Sequence, residues 1–254
     1  MNLIGKTIVI TGGGSGMGEA CAHLFSKNGA KVVVADRDEV RGKSVAAAIT
    51  AKGDAAAFIA TDVTNEISIK GMVDFAVMKF GGLDGAVNGA GIAGNPARIV
   101  DLDATEWRRH YDVMTLGVAL CMKYEIPEIL KRGGGSIINI ASKGGLDGVA
   151  MQGPYVAAKH GAVGVTKCAA LECATLGVRV NAICPGLIDT PMFRNMAVEG
   201  ADYSSVLKTV PMRRFGEASE IADAALWLLS GSSSFVTGQA ICVDGGMFYG
   251  GPID

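Results

Sequence analysis

The chain has 254 residues, 49 % of them hydrophobic, with 36 glycines and a formal net charge of −2. That length suits a single α/β domain with a large core, here taken as residues 1–254, and the near-neutral balance with no basic stripe excludes a nucleic-acid binder. No apolar run reaches the roughly eighteen residues that a membrane-spanning helix needs, so no membrane partner is expected.

Short β-branched runs alternate with longer helical patterns, which predicts a doubly wound parallel sheet with helices on both faces. The start, Met1–Ile10, is too short and interrupted for a secretory leader and reads as the approach to a first strand over Thr7–Thr11. Met17, Ala20, Cys21, Leu24 and Phe25 recur at helical spacing, and Gly29 ends that helix. Lys31–Asp36 is nearly all valine, as expected of a strand covered on both faces. A helix over Glu39–Ala51, a strand over Ala56–Asp62, a helix over Ile67–Phe80 and a strand over Gly85–Asn88 follow. Asp103-Ala-Thr-Glu106 starts a long helix running to about Lys131, stopped by Gly133-Gly-Gly135. Beyond it come a strand over Ser136–Ser142, a helix over Pro154–Leu176, a strand over Arg179–Ile183, a helix over Glu217–Leu229 and a last strand over Ala240–Val243. The helix from Tyr155 to Leu176 has almost no polar face, so its outer side is expected to be covered by another subunit.

Six cysteines lack any C-x-x-C pair and most lie in apolar runs, which reads as free thiols in a reducing, cytoplasmic compartment. The three histidines have no ligand-like spacing, so no metal site is expected.

The chemistry is carried by Ser142, Tyr155 and Lys159. Tyr155 and Lys159 stand at i and i+4 and share a helix face, which lets the ammonium lie close to the phenol. A phenol of pKa about 10 is a poor base at neutral pH, and a nearby positive charge is expected to lower it. Ser142, at a strand end, could then hold the oxygen of an alcohol or ketone while Tyr155 moves its proton. A hydride carrier is needed beside them.

Thr11-Gly-Gly-Gly-Ser-Gly-Met-Gly18 supplies its site. Gly12, Gly14, Gly16 and Gly18, with Ser15 and Met17 between them, form a turn that lets a pyrophosphate approach a helix N-terminus. The strict G-x-G-x-x-G pattern is absent, and T-G-x-x-x-G-x-G stands instead. Asp36 closes the second strand, where a carboxylate accepts bonds from the adenosine ribose and repels a 2′-phosphate. NAD is therefore expected and NADP less so, with Arg37 as the dissenting residue.

These motifs, with Asp62-Val63, Asn88-Gly-Ala-Gly91, Asn181-Ala-Ile-Cys-Pro-Gly186, Thr190 and Asp244-Gly-Gly246, resemble the short-chain dehydrogenase/reductase family in its classical type over essentially the whole chain. The resemblance implies a Rossmann-type sheet of seven strands and a nicotinamide cofactor at its C-terminal edge. It implies Asp62 and Val63 beside the adenine, and Asn88, Ala90 and Gly91 near the ribose and nicotinamide. Pro185 and Gly186 fall among the cofactor-binding positions, and Ile188 and Thr190 would contact the carboxamide. Lys159 would bond the nicotinamide ribose, and a homotetramer is the common family state.

Two positions depart from the family pattern. Gly89 replaces the second asparagine of N-N-A-G, and Met114 replaces an asparagine that completes a catalytic tetrad by holding a water. Methionine cannot hold that water by a side-chain hydrogen bond. Thr115 points about a hundred degrees away on a helix and does not replace it.

Residues 187–214 read as a lid over substrate, with Met192, Phe193 and Met196 as an apolar face and Gly200 as a hinge. Leu146, Val149, Met151 and Gln152 are expected to line a mostly apolar cleft. Gly81–Ala86 and Leu120–Tyr124 are similar to stretches of dehydrogenases acting on cyclic alcohols and cyclohexadiene diols. The expected function is NAD-dependent interconversion of a secondary, cyclic or hydrophobic alcohol and its ketone. A 3-oxoacyl carrier-protein reductase and a catalytically impaired dinucleotide-binding sensor are the alternatives.

Overall fold

The computed structural model describes residues 2–196 and 204–248. Seven parallel strands form one sheet: β1 (Thr7–Thr11), β2 (Lys31–Asp36), β3 (Ala56–Ala60), β4 (Gly85–Asn88), β5 (Gly135–Ile140), β6 (Val178–Pro185) and, after two short strands, β9 (Ala240–Val243). Their order is β3-β2-β1-β4-β5-β6-β9, so the winding reverses between β1 and β4. At such a switch point the loops leaving neighbouring strands part and open a crevice at their C-terminal ends. Register agrees across the centre, with Val9 paired to Val33 on one side and to Ala86 on the other.

Helices α1 (Gly16–Lys27), α2 (Glu39–Thr50) and α9 (Ala218–Leu229) pack on one face. On the other lie α3 (Glu66–Phe80), α4 (Ala104–Tyr111), α5 (Gly117–Lys131) and α6 (Gly153–Cys173). Asp38, Asn65 and Asp103 cap α2, α3 and α4, each accepting from a backbone N–H of the first turn.

Three elements differ from the sequence expectation. β3 stops at Ala60, and Thr61 still donates its N–H to the Asp36 carbonyl before the chain turns. β5 stops at Ile140; Ser142 is extended but caps a 3₁₀ turn over Lys143–Gly145, its Oγ accepting from Gly144 N at 3.0 Å. The long helix expected from Asp103 to Lys131 is broken by a π-helical turn over Asp112–Leu116, where Met114 and Thr115 sit. Thr115 Oγ1 donates to the Ala158 carbonyl at 2.9 Å and lies against Gly161, so this turn is locked onto α6.

The stretch 187–214 begins with β7 (Ile188–Asp189), α7 (Pro191–Met196) and, further on, α8 (Ser204–Leu207). β7 pairs with β8 (Gly216–Glu217) in a two-residue parallel ladder that sequence periodicity does not reveal. Gly200 lies outside the described residues, as does the Met196 side chain. Along α6 the chain's own loops leave Ala157, Gly164, Cys168 and Leu171 exposed, Leu171 at 82 %.

Candidate active site

The crevice at the switch point is a cavity of about 670 Å³. From the glycine turn it is lined by Gly12, Ser15, Gly16, Met17 and Gly18. Gly12 and Gly16 have φ of +70° and +55°, and a Cβ on Gly18 would overlap the Gly12 carbonyl oxygen. Only glycine allows that turn to lie so close to the start of α1. Gly14 does not line the cavity; its N–H donates to Asp36 Oδ2 at 2.9 Å, which ties the turn to the end of β2. Asp36 Oδ1 accepts from Asp38 N at 2.9 Å, while Asp36 and Arg37 both face the cavity.

Asp62, Val63, Ala90, Gly91, Thr190 and Met192 also line it, and Arg108 and Arg109 of α4, which the sequence reading did not single out, lie on its wall as well. Thr64 N–H and hydroxyl bonds hold the Asp62 carboxyl below its usual range, with a smaller contribution from Arg37. The turn, the N-terminus of α1 with no side-chain cap at Ser15, and the Asp36 carboxylate fit a dinucleotide: backbone donors for a pyrophosphate, an acceptor for a ribose.

Asn88 behaves differently from the expectation. Its side chain is buried beneath the crevice, where Nδ2 donates to Glu125 Oε2 and Asn139 Oδ1, both at 3.0 Å. Asn139 in turn donates to Thr166 Oγ1 at 2.8 Å. Asn88 therefore ties β4 to β5 and α5 and does not face the cleft. Glu125 is wholly buried, and burial pushes its carboxyl up to about 7 against the lowering bond from Asn88. Sequence reading missed Glu125; its one visible signal is a glutamate inside the apolar face of a helix. Pro185, Gly186 and Ile188 are not among the residues that line the cavity: Gly186 N–H donates to the Val243 carbonyl and Ile188 is buried.

Ser142, Tyr155 and Val149 converge on Gly144. A Cβ added there would lie 3.5 Å from Ser142 Oγ and 3.6 Å from both the Tyr155 ring and Val149 Cγ2. Lys159 lies beneath, its Nζ 5.7 Å from the Tyr155 ring centroid and donating to the Ile140 carbonyl at 2.8 Å. Burial raises the Tyr155 phenol, with a hydrogen bond from Ser142 lowering it and the Cys184 thiol adding a small rise. Burial also brings Lys159 down to about 8. The spacing does bring the Lys159 ammonium to the Tyr155 ring, while burial is the largest influence on the phenol and raises it. The ammonium is turned to a main-chain carbonyl, and both groups pay for leaving water.

Leu146 is half-buried against Ala141, Val163 and Cys184, and Gln152 borders a small space beside Tyr155. Met192 is exposed on the cofactor side of the crevice, while Phe193 stacks against Phe215 with ring centroids 5.0 Å apart. Met114 is fully buried, its sulfur against Gly91, and carries no hydrogen-bonding group into the site.

Residues 12–248 match a family model described as enoyl-(acyl carrier protein) reductase. Given that match together with the switch-point crevice and the glycine turn, the chain belongs to the short-chain dehydrogenase/reductase family and is an oxidoreductase of that type. It is 44 % identical over 249 residues to the 2,5-dichloro-2,5-cyclohexadiene-1,4-diol dehydrogenase of Sphingobium indicum, covering 96 % of this chain and 98 % of that protein. The cyclohexanol dehydrogenase of an Acinetobacter species is 41 % identical over 240 residues, covering 94 % of each. Among solved structures, levodione reductase superposes with a TM-score of 0.94 at 33 % identity, covering 98 % of this chain and all of that one. Among the described residues no helix is long and apolar enough to cross a membrane.

Proposed function

We propose that this enzyme is an NAD-dependent dehydrogenase of cyclic secondary alcohols, working reversibly on the matching ketones. The observation that carries the reading is the convergence of Ser142 and Tyr155 on Gly144, with Lys159 buried beneath them. The names of the relatives support the substrate class: a cyclohexadiene diol in one and cyclohexanol in another. When bound, the nicotinamide supplies the hydride acceptor or donor; all proton movement falls to the chain.

In oxidation, Tyr155 Oη takes the hydroxyl proton while the Ser142 hydroxyl steadies the oxygen as it becomes a carbonyl. In reduction, the raised phenol is already protonated and gives that proton back. Lys159 holds positive charge next to the forming phenolate, and its ammonium, which donates to the Ile140 carbonyl, has further protons for a ribose hydroxyl. Asp36 supports NAD as the cofactor, since its carboxylate repels a 2′-phosphate. Residues 187–214 act as the lid within a single domain, and the exposed apolar strip on α6 supports a homotetramer. Six free cysteines fit a cytoplasmic setting.

The test is an NAD-reduction screen across cyclic alcohols, diols, sugars and hydroxyacyl thioesters, run beside Tyr155→Phe. Turnover confined to cyclic secondary alcohols and lost in the variant is the expected result. Near-normal turnover by Tyr155→Phe refutes the assigned base, and turnover only of thioesters with NADPH replaces this reading with the carrier-protein one.

A further inference from the structure

His110 stands on α4 with its side chain 1 % exposed. Its Nδ1 lies 2.8 Å from the Glu106 carbonyl oxygen, one helical turn back. A carbonyl can only accept, so Nδ1 carries a proton there, with the Glu106 carboxylate 3.8 Å from the same nitrogen, and in the tautomer with its single proton on Nδ1 the other nitrogen, Nε2, is an acceptor. Nε2 is buried and has no partner. An acceptor stripped of water without a replacement donor is a costly thing to keep in a folded chain.

The space in front of it has a definite size and neighbour. Gly94 makes room for the imidazole: a Cβ there would lie 2.7 Å from Nε2 and 2.9 Å from Cε1. What remains is a cavity of about 10 Å³ whose lining includes His110, Glu106, Gly94, Met151, Gln152 and Tyr155. That is room for about one oxygen atom. Met151, on its rim, is held at a φ of +67°, and the adjoining loop is pinned by Ala97 N–H donating to the Met151 carbonyl at 2.9 Å. The cavity is therefore walled by a fixed loop on one side and by the reacting tyrosine on another.

We propose that His110 Nε2 forms a second substrate subsite, accepting a hydrogen bond from a second hydroxyl on the ring of the alcohol being oxidised. The inference rests on the alcohol-dehydrogenase reading and narrows it to diols. A hydroxyl satisfies the bare nitrogen; a ketone or ether oxygen at the same position has no proton to offer, and a mono-alcohol leaves the acceptor empty.

The test compares kcat/KM with NAD for cyclohexane-1,4-diol, cyclohexanol and 4-methoxycyclohexanol in the full-length enzyme. The wild type is expected to prefer the diol to each of the others by about ten-fold or more. His110→Leu should bring the diol-to-cyclohexanol ratio close to one, His110→Gln should retain part of it through its amide oxygen, and Gly94→Ala should lower it by filling the cavity. NADH binding followed by fluorescence checks that each variant is folded. A wild-type ratio near one, or a ratio that both His110→Leu and Gly94→Ala leave in place, overturns the subsite; an ordinary buried water at Nε2 would give that result. If the NADH-binding wild type turns over none of the three alcohols, the alcohol reading itself fails and the subsite with it.

Discussion

Asn88 and Glu125 meet beneath the cofactor crevice, Nδ2 donating to Oε2 at 3.0 Å, while Asn88 Oδ1 and Glu125 Oε1 are both buried without a partner. The pair has one acceptor too many. A proton on Glu125 removes the buried charge and adds a donor, which is why burial holds this carboxyl at about 7. Glu125 in turn acts on the buried thiol of Cys121, which is raised by burial and by this carboxyl.

Stability should therefore depend on pH through Glu125. Its folded value of about 7 lies above the ordinary glutamate value of 4.5, so between these the folded state binds the extra proton. The benefit is complete below about 4.5 and is lost as pH rises through 7. Melting curves should show the wild type losing at least a few degrees between pH 5 and pH 8 that Glu125→Gln does not lose. Parallel curves for the two proteins would mean Glu125 is ionised throughout.

Lys159 gives the opposite slope. Its folded value of about 8 lies below the ordinary 10.5, so the unfolded chain holds more protons between the two. The burial cost is full below pH 8 and is relieved as pH rises from there toward 10.5. Lys159→Met should melt above the wild type at pH 7, with the gap narrowing at pH 9, while alcohol oxidation is lost. A variant less stable than wild type at pH 7 would show that the bond to the Ile140 carbonyl outweighs the desolvation.

The raised Tyr155 phenol separates the two reaction directions. Oxidation needs the phenolate and should quicken as pH rises through the alkaline range; ketone reduction needs the phenol and should slow. Tyr155→Phe should cut both by about 10²–10⁴-fold while NADH still binds. Rates in both directions that rise together with pH would place the controlling group elsewhere.

Asp36 has two tasks, holding Gly14 and presenting a carboxylate to the crevice. Asp36→Ala should weaken NAD binding and narrow the preference over NADP, measured as the ratio of kcat/KM values. A wild-type preference for NADPH of ten-fold or more would remove the basis for the cofactor assignment.

Met114→Asn tests the proton route behind Lys159. An amide placed in this buried turn should cost about 1–3 kcal/mol of stability unless it gains a water. If it does gain one, the pH–rate profile shifts; an unchanged profile and rate would mean the relay never depended on this position.

The central strands were legible from sequence because β1, β2 and β4 are covered on both faces and read as unbroken apolar runs. The glycine turn and the spacing of Tyr155 and Lys159 were legible because they are local. What was not legible depends on burial and on partners distant in sequence. Asn88 was expected at the cofactor, yet Glu125, 37 residues away, turns it inward. Helix spacing brings Lys159 toward Tyr155, but the burial that raises the phenol has no mark in local sequence. A π-helical turn leaves no mark in apolar periodicity, and the β7–β8 ladder is too short to have a period. His110 reads as an ordinary helix residue until the loop carrying Gly94 is laid against it.

The β7–β8 ladder brings Ile188 beside Gly216 and Asp189 beside Glu217, so the chain leaves this small ladder and returns to it at neighbouring points. A segment whose two ends are held side by side can change in length at little cost in loop-closure entropy. On the proposed reading of this stretch as the substrate lid, substrate range can drift, or be redesigned by grafting the segment from another family member, without disturbing the residues proposed to move the proton.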